Sequence, residues 1–221
     1  MNKNINTVIF DIGNVLASFG WHLYIDELLA SMGSLDKRTE VERAIWLSPS
    51  PVRPQYHLWD ELDIGLMSDA EIIDGFVSHA PDCEREIRTA CSPEHIGKCI
   101  VKLDTAVPWI CHIKNNFKNN NFRVLFLSNY SKIIMNANPE ALYFLPFLDG
   151  GIFSCDVHLI KPDLKFYEML INKYNLEPER CVFIDDIERN VNAAREVGLN
   201  AIKLDTYEQA RFDLDKFLGI N

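Results

Sequence analysis

The chain has 221 residues, 48% of them apolar and 24% charged, which excludes a disordered polymer and suits one domain, or one domain carrying a sizeable insert. No apolar run approaches the roughly 20 residues that cross a bilayer, and the first apolar stretch, after a polar Met1–Thr7, is too short for an export signal. A formal charge of −10 argues against non-specific attraction to nucleic acid or anionic membrane, so neither is expected as a partner and a cytoplasmic location is.

Residues 7–11, Thr-Val-Ile-Phe-Asp, read as a strand buried on both faces and ending in an acid. Gly13 and Asn14 break it. From about 19 to 92 the pattern is helical, with no convincing strand. Within it, Ser68 to Glu71 forms a capping box ahead of Ile72, Ile73, Phe76 and Val77 on one helical face, and 49–54 (Pro-Ser-Pro-Val-Arg-Pro) is a break or loop. Ser92-Pro93 reads as the start of another helix. A further helix begins near 106 with Ile110, Ile113 and Phe117 in phase, and Asn119-Asn120-Asn121 closes it. Then come a strand from Arg123 to Ser128 and a short strand at 151–154. A helix over 163–175 carries Phe166, Met169, Leu170 and Tyr174 on one face. A strand at 181–185, a helix carrying Ile187, Val191 and Ala194, and a strand at 201–204 complete the reading. Strands alternating with helices imply right-handed crossovers and a parallel sheet. The cysteines (Cys83, Cys91, Cys99, Cys111, Cys155 and Cys181) form no Cys-x-x-Cys pair and no zinc spacing, so reduced thiols are expected.

In an open parallel sheet, ligands bind at the carboxyl ends of the strands. Applied here, the rule gathers Asp11, Ser128-Asn129, Asp185-Asp186 and Lys161 on one rim. Converging carboxylates repel and raise one another's pKa unless a cation is present. Hard oxygen ligands suit Mg2+, which often takes one or two carboxylates together with a substrate phosphate. A carboxylate also serves as a nucleophile that forms an acyl phosphate, while a hydroxyl and a lysine hold the phosphoryl oxygens. Asn190, four residues beyond Asp186 on the same helical face, is placed to orient a metal-bound water or Lys161. Taken singly, each feature has an ordinary reading: Asp11 a cap, Ser128-Asn129 a turn, Lys161 a surface lysine, Asp185-Asp186 an N-cap pair. Their joint placement carries the functional reading.

Four motifs stand in order: Val8-Ile-Phe-Asp11-Ile-Gly-Asn-Val15, Val124-Leu-Phe-Leu-Ser128-Asn129, Lys161-Pro162-Asp163 and Val182-Phe-Ile-Asp185-Asp186-Ile-Glu-Arg-Asn190. On these the sequence resembles the haloacid dehalogenase (HAD) superfamily, in particular a bacterial subgroup that includes α-glucose-1-phosphate phosphatases. The resemblance implies an α/β fold, a three-layer Rossmann-type parallel sheet core over 1–18 and 93–221, with a small α-helical cap at 19–92 inserted after the first strand. It implies a phosphatase with Asp11 as nucleophile and metal ligand. The Gly13 backbone carbonyl and Asp186 would be further magnesium ligands, with Asp185 bound directly or through water. Ser128, Asn129 and Lys161 would hold the phosphoryl group of a small phosphorylated metabolite.

One position departs from the common family pattern. Gly13 stands where an aspartate usually serves as general acid and base, although the subgroup shares the glycine. The competing readings are a phosphosugar mutase, a metal-free 2-haloacid dehalogenase, and a catalytically weak binding protein that keeps the pocket. Trp21 and His22 are the candidate cap residues facing substrate, with Tyr24, His57, Trp59 and Asp60 nearby, whereas Trp46 reads as core. The sequence sets no oligomeric state.

Overall fold

A computed structural model describes residues 5–117 and 122–220. Strand β1 (Thr7–Phe10) forms where the Thr-Val-Ile-Phe run begins, and a tight turn follows it, with the amides of Val15, Leu16 and Ala17 all on the carbonyl of Ile12. Strand β2 (Ala17–Phe19) then pairs antiparallel with β3 (Ile100–Lys102). Between these two strands lie α1 (Trp21–Met32), α2 (Arg38–Leu47), α3 (Leu58–Ile64), α4 (Asp69–His79) and α5 (Glu84–Ala90). The Ser68 capping box opens α4 as read from the sequence, its hydroxyl accepting from Glu71 N.

The sequence expectation at Ser92-Pro93 is corrected. The chain there makes a turn, then a 3-10 segment (Ile96–Cys99), and enters β3. A proline in a first turn does not make a helix when the residues after it are recruited as a strand.

The remaining chain supplies α6 (Ala106–Asn116), β4 (Arg123–Ser128), α7 (Lys132–Ala137), β5 (Gly150–Phe153), α8 (Ser154–Val157), α9 (Leu164–Tyr174), β6 (Cys181–Asp185), α10 (Glu188–Glu196), β7 (Asn200–Lys203) and α11 (Tyr207–Leu218). The Asn119–Asn121 break expected from the sequence lies outside the described residues. Among the described residues, five strands form a parallel sheet in the order β5-β4-β1-β6-β7. Alternation along each strand fills two cores. Val8, Phe10, Val124, Phe126, Val182 and Ile184 face one side with Trp109, Ile110 and Ile113 of α6 and Leu214 of α11. Ile9, Leu125, Leu127 and Phe183 face the other with Phe166, Tyr167 and Leu170 of α9 and Ala193 and Ala194 of α10. Both faces are therefore covered, giving the three-layer α/β architecture. β1 is central, flanked by β4 and β6, so the ends of all three strands meet at one place. Among the described residues, no helix is long and apolar enough to cross a membrane.

Candidate active site

Asp11 follows β1 directly, its amide donating to Ile184 O at 2.9 Å. One carboxylate oxygen, Oδ1, accepts from Ile12 N at 2.7 Å and lies 2.7 Å from Lys161 Nζ. Among the described residues no contact of this kind reaches Oδ2, which leaves it open for chemistry. Lys161 is 1% exposed, so the reading of it as a surface lysine fails. Its ammonium also donates to Asp185 Oδ2 at 2.6 Å, bridging the ends of β1 and β6.

The loop bearing Lys161 is held by Asn129. That side chain accepts from Lys161 N at 2.8 Å and donates to Lys161 O at 3.0 Å. Asn129 lines the cavity, and its side-chain amide is spent on positioning the lysine loop, so a phosphoryl contact from this residue would fall to its backbone N–H. Asn190 stands behind the acid cluster as a supporting residue, with Asp185 as its side-chain partner. Its Nδ2 donates to both oxygens of Asp185, at 3.0 and 3.1 Å, so it orients Asp185 and does not touch Lys161. Ile187 N adds a third donor to Asp185, at 2.8 Å. Ile187 itself precedes α10 and is 41% exposed on the cavity rim, not a core residue. Ser128 ends β4, 1% exposed, its hydroxyl 3.4 Å from the Asn129 carbonyl.

Asp186 accepts from Asn14 Nδ2 at 2.9 Å. Asn14 holds a left-handed φ of 54°, a conformation asparagine tolerates, and its Oδ1 accepts from Phe19 N at 2.9 Å. The turn after the nucleophile strand is thereby tied to the end of β6 and to β2. Gly13 lines the cavity, and a Cβ placed there would meet nothing within 4 Å.

Oxygens of Asp11, Asp185 and Asp186 all lie within 4.8 Å of one another. Burial pushes the Asp11 carboxyl up to about 7; Lys161 opposes this, and Asp185 and Asp186 add to it. Burial also raises Asp186, against the Asn14 hydrogen bond. Burial works against the charge on Lys161, yet Asp11 and Asp185 outweigh it and hold the ammonium above the ordinary lysine value. Three carboxylates share one lysine, so the cluster keeps a negative excess that a hard cation would relieve. The buried Asn190 Oδ1 has no partner, a second sign of room for a ligand or its water. These residues fit a magnesium ion.

The cavity over this cluster has a volume of about 300 Å³, at the small end for ligand sites. Its far wall comes from the inserted helices: Trp46, His57, Trp59, Asp60 and Asp63. Trp21 and His22 do not line it. Trp21 is 2% exposed and stands behind the wall, its ring 5.3 Å from Trp46 and 5.5 Å from Trp59. His22 points outward, its side chain 78% exposed and its Nδ1 2.9 Å from Glu42. Tyr24 is buried, its hydroxyl donating to Ala90 O at 2.7 Å. The aromatic surface toward the cavity is instead the Trp46–Trp59 pair, centroids 4.3 Å apart, edged by Phe19. The sequence reading also passed over Tyr130 and Ser131, which line the cavity with buried hydroxyls lacking partners, and Asp63. No local pattern distinguishes these residues; only the packing of α3 and the β4–α7 loop brings them in.

The chain is similar to several known proteins. Flavin mononucleotide hydrolase 1 of Arabidopsis thaliana is 25% identical over 164 residues, 74% of this chain and 63% of that protein. Bifunctional epoxide hydrolase 2 of Sus scrofa is 31% identical over 75 residues, 34% of this chain and 14% of that protein. The chain thus aligns with less than two thirds of these curated relatives. Among solved structures, a HAD-like family hydrolase from Porphyromonas gingivalis superposes with a TM-score of 0.69 at 19% identity, over 97% of this chain and 98% of that one. A HAD family enzyme from Bacteroides thetaiotaomicron, crystallised with magnesium and inorganic phosphate, gives a TM-score of 0.64 at 16% identity, over 93% and 98%. The family model for haloacid dehalogenase-like hydrolases matches residues 5–198, which is most of the chain: this protein belongs to the haloacid dehalogenase-like hydrolase family.

Proposed function

We propose that the protein is a magnesium-dependent phosphomonoesterase that works through a phosphoaspartate on Asp11 and acts on small phosphorylated metabolites. The observation that carries the reading is the cluster of buried Asp11 and Asp185 with half-buried Asp186, in which Lys161 bridges the first two. A dehalogenase that needs no metal has no use for two further acids beside its nucleophile. Asp11, the Gly13 carbonyl and Asp186 would hold the magnesium, with Asp185 bound directly or through water; when bound, the ion supplies positive charge to the substrate phosphate and to the acids. Lys161 fixes Asp11 Oδ1 and offers its charge to the phosphoryl oxygens, and Ser128, at the β4 end, would donate its hydroxyl to them. Asn129 and Asn190 keep Lys161 and Asp185 in register. The helical segment 19–92 serves as the cap, since it supplies the far wall of the cavity. The Bacteroides thetaiotaomicron enzyme, crystallised with magnesium and inorganic phosphate, and the flavin mononucleotide hydrolase support the same chemistry.

Chelation is expected to abolish hydrolysis of a generic phosphate ester, and magnesium to restore it. Magnesium should also raise the melting temperature, because it binds the folded state and relieves the acid cluster. Asp186→Ala should raise the magnesium concentration needed for both effects. Full activity in chelator would contradict the reading and favour a dehalogenase.

We further propose sugar 1-phosphates among the substrates. Gly13 itself offers the leaving oxygen no proton, so acid help has to come from elsewhere in the cavity, and an anomeric oxygen asks less of it than an ordinary alcohol because the ring oxygen withdraws electrons. The cavity is small, and its Trp46–Trp59 wall suits one sugar ring. Glucose 1-phosphate is expected to exceed glucose 6-phosphate in kcat/KM, and equal values or the reverse order would count against this preference.

A further inference from the structure

Gly13 leaves the position of the usual proton donor empty, and the structure offers a substitute on the opposite wall. Helix α3 carries three acids. Asp60 is used locally, its Oδ2 accepting from His57 N at 2.9 Å. Glu61 is fully buried and bound to Ser50 Oγ at 2.6 Å and to the Arg53 guanidinium. Asp63 alone lines the catalytic cavity with a carboxyl that, among the described residues, no hydrogen bond or ion pair reaches.

The backbone of Asp63 is fixed to the core rim. Ser154 Oγ donates to the Asp63 carbonyl at 2.6 Å and accepts from Tyr130 N at 2.9 Å. His158 Nδ1 donates to the next carbonyl, Ile64 O, at 2.9 Å. Gly65 then turns away with φ +71°, and a Cβ there would lie 3.2 Å from the Cβ of Cys155. The C-terminal end of α3 is therefore held against α8, close to the loop that carries Asn129. His57, a further ionisable side chain on this wall, is exposed and sits six residues away, about 9 Å along the helix.

We propose that Asp63 is the general acid and base of this enzyme, supplied by the cap in place of the residue missing at Gly13. The proposal rests on the phosphoaspartate reading. Asp11 attacks phosphorus and the bond to the leaving oxygen breaks. Its electron pair stays on that oxygen, which takes the proton of the Asp63 carboxyl. Water then attacks the phosphorus of the acyl phosphate and gives a proton to the Asp63 carboxylate. The bond between phosphorus and Asp11 breaks, releasing inorganic phosphate and restoring both acids. Burial, with Asp60 and Asp11 nearby, raises the Asp63 carboxyl well above the usual carboxylate range, against the pull of Lys161. Asp63 matters most for leaving groups more basic than an anomeric or phenolic oxygen.

The test compares two esters of similar size with magnesium: benzyl phosphate, which releases an ordinary alcohol, and 4-nitrophenyl phosphate, which releases a stable phenolate. Asp63→Asn is isosteric and removes no hydrogen bond, so its melting temperature should match wild type. Its kcat/KM for benzyl phosphate is expected to fall on the order of 10²-fold or more, and that for 4-nitrophenyl phosphate far less, since acid help is worth about 10²–10⁴-fold where it is needed. Adding Gly13→Asp, where the structure leaves room, should recover part of the loss on benzyl phosphate. If wild type cleaves both esters and Asp63→Asn, or Asp63→Ala as a second variant, slows both equally or neither, Asp63 is not the acid. Asp63 is likewise ruled out if His57→Ala shows the leaving-group signature and Asp63→Asn does not. If wild type cleaves neither ester, the phosphatase reading falls, and this inference with it.

Discussion

Asp11→Asn is expected to remove turnover while leaving a folded protein. An amide is no nucleophile toward phosphorus, and removal of a catalytic nucleophile elsewhere costs on the order of 10⁶-fold in kcat. The fold should survive because Asn keeps the shape of the side chain and its oxygen can still accept from Ile12 N, a contact now 2.7 Å long. Lys161 loses one of two carboxylate partners but keeps Asp185 at 2.6 Å. The substitution also removes a carboxyl that burial and then the neighbouring Asp185 and Asp186 make costly to ionise, so the metal-free protein should not melt much earlier than wild type. Steady-state rates and a melting curve on the same preparation check both halves. Activity comparable to wild type would exclude a covalent role for this residue.

Lys161→Met is expected to cost both catalysis and stability, and the two losses should respond differently to magnesium. Methionine keeps most of the buried stem and removes the charge. Loss of a positioned donor to the transition state costs on the order of 10²-fold or more. Breaking a buried ion pair from one side costs about 3–5 kcal/mol, because the partner charge is left uncompensated. Here Asp11 and Asp185 would face each other without a cation. Magnesium offers that charge back, so the drop in melting temperature should be larger in chelator than with the metal present. The rate should stay low in either condition, because the ion cannot take the place of the lysine. Wild-type rates in Lys161→Met would remove the lysine from the mechanism, and a melting loss insensitive to magnesium would argue against a shared acid site.

The parts of the fold that follow from strong local signals were readable from the sequence. The runs at 7–10, 123–128 and 181–185 are short, mostly apolar and rich in β-branched or aromatic residues, and each ends in, or is followed directly by, a polar group at the rim. A buried parallel sheet leaves few other arrangements for such strands. The rim cluster was readable for the same reason, since topology alone decides which strand ends meet. Side-chain partners were not readable. Asn190 lies on the right helical face for Asp186, yet it bonds Asp185, because Asp185 points into the layer beneath α10. Asn129 closes the motif expected to bind phosphate, yet its side chain is committed to the Lys161 backbone, a contact across 32 residues that no local pattern encodes. In the inserted helices, periodicity marks an apolar face without naming its neighbour. Trp21 and Trp46 both carry that mark. One became the backing and the other the wall, a choice made by how α1, α2 and α3 pack together. The C-terminal helix α11 had a usable signal that went unread, the Thr206–Gln209 capping box.

The central claim is that phosphorus passes through Asp11. The most direct test is to mix the magnesium-loaded enzyme with excess 4-nitrophenyl phosphate, quench in acid within a turnover, digest, and weigh the peptide that contains Asp11. The expected result is a phosphoryl group on that peptide in wild type, lost on treatment with hydroxylamine, as an acyl phosphate requires, and none in Asp11→Asn. A phosphoryl group trapped on any other residue, or one that resists hydroxylamine, would contradict the account.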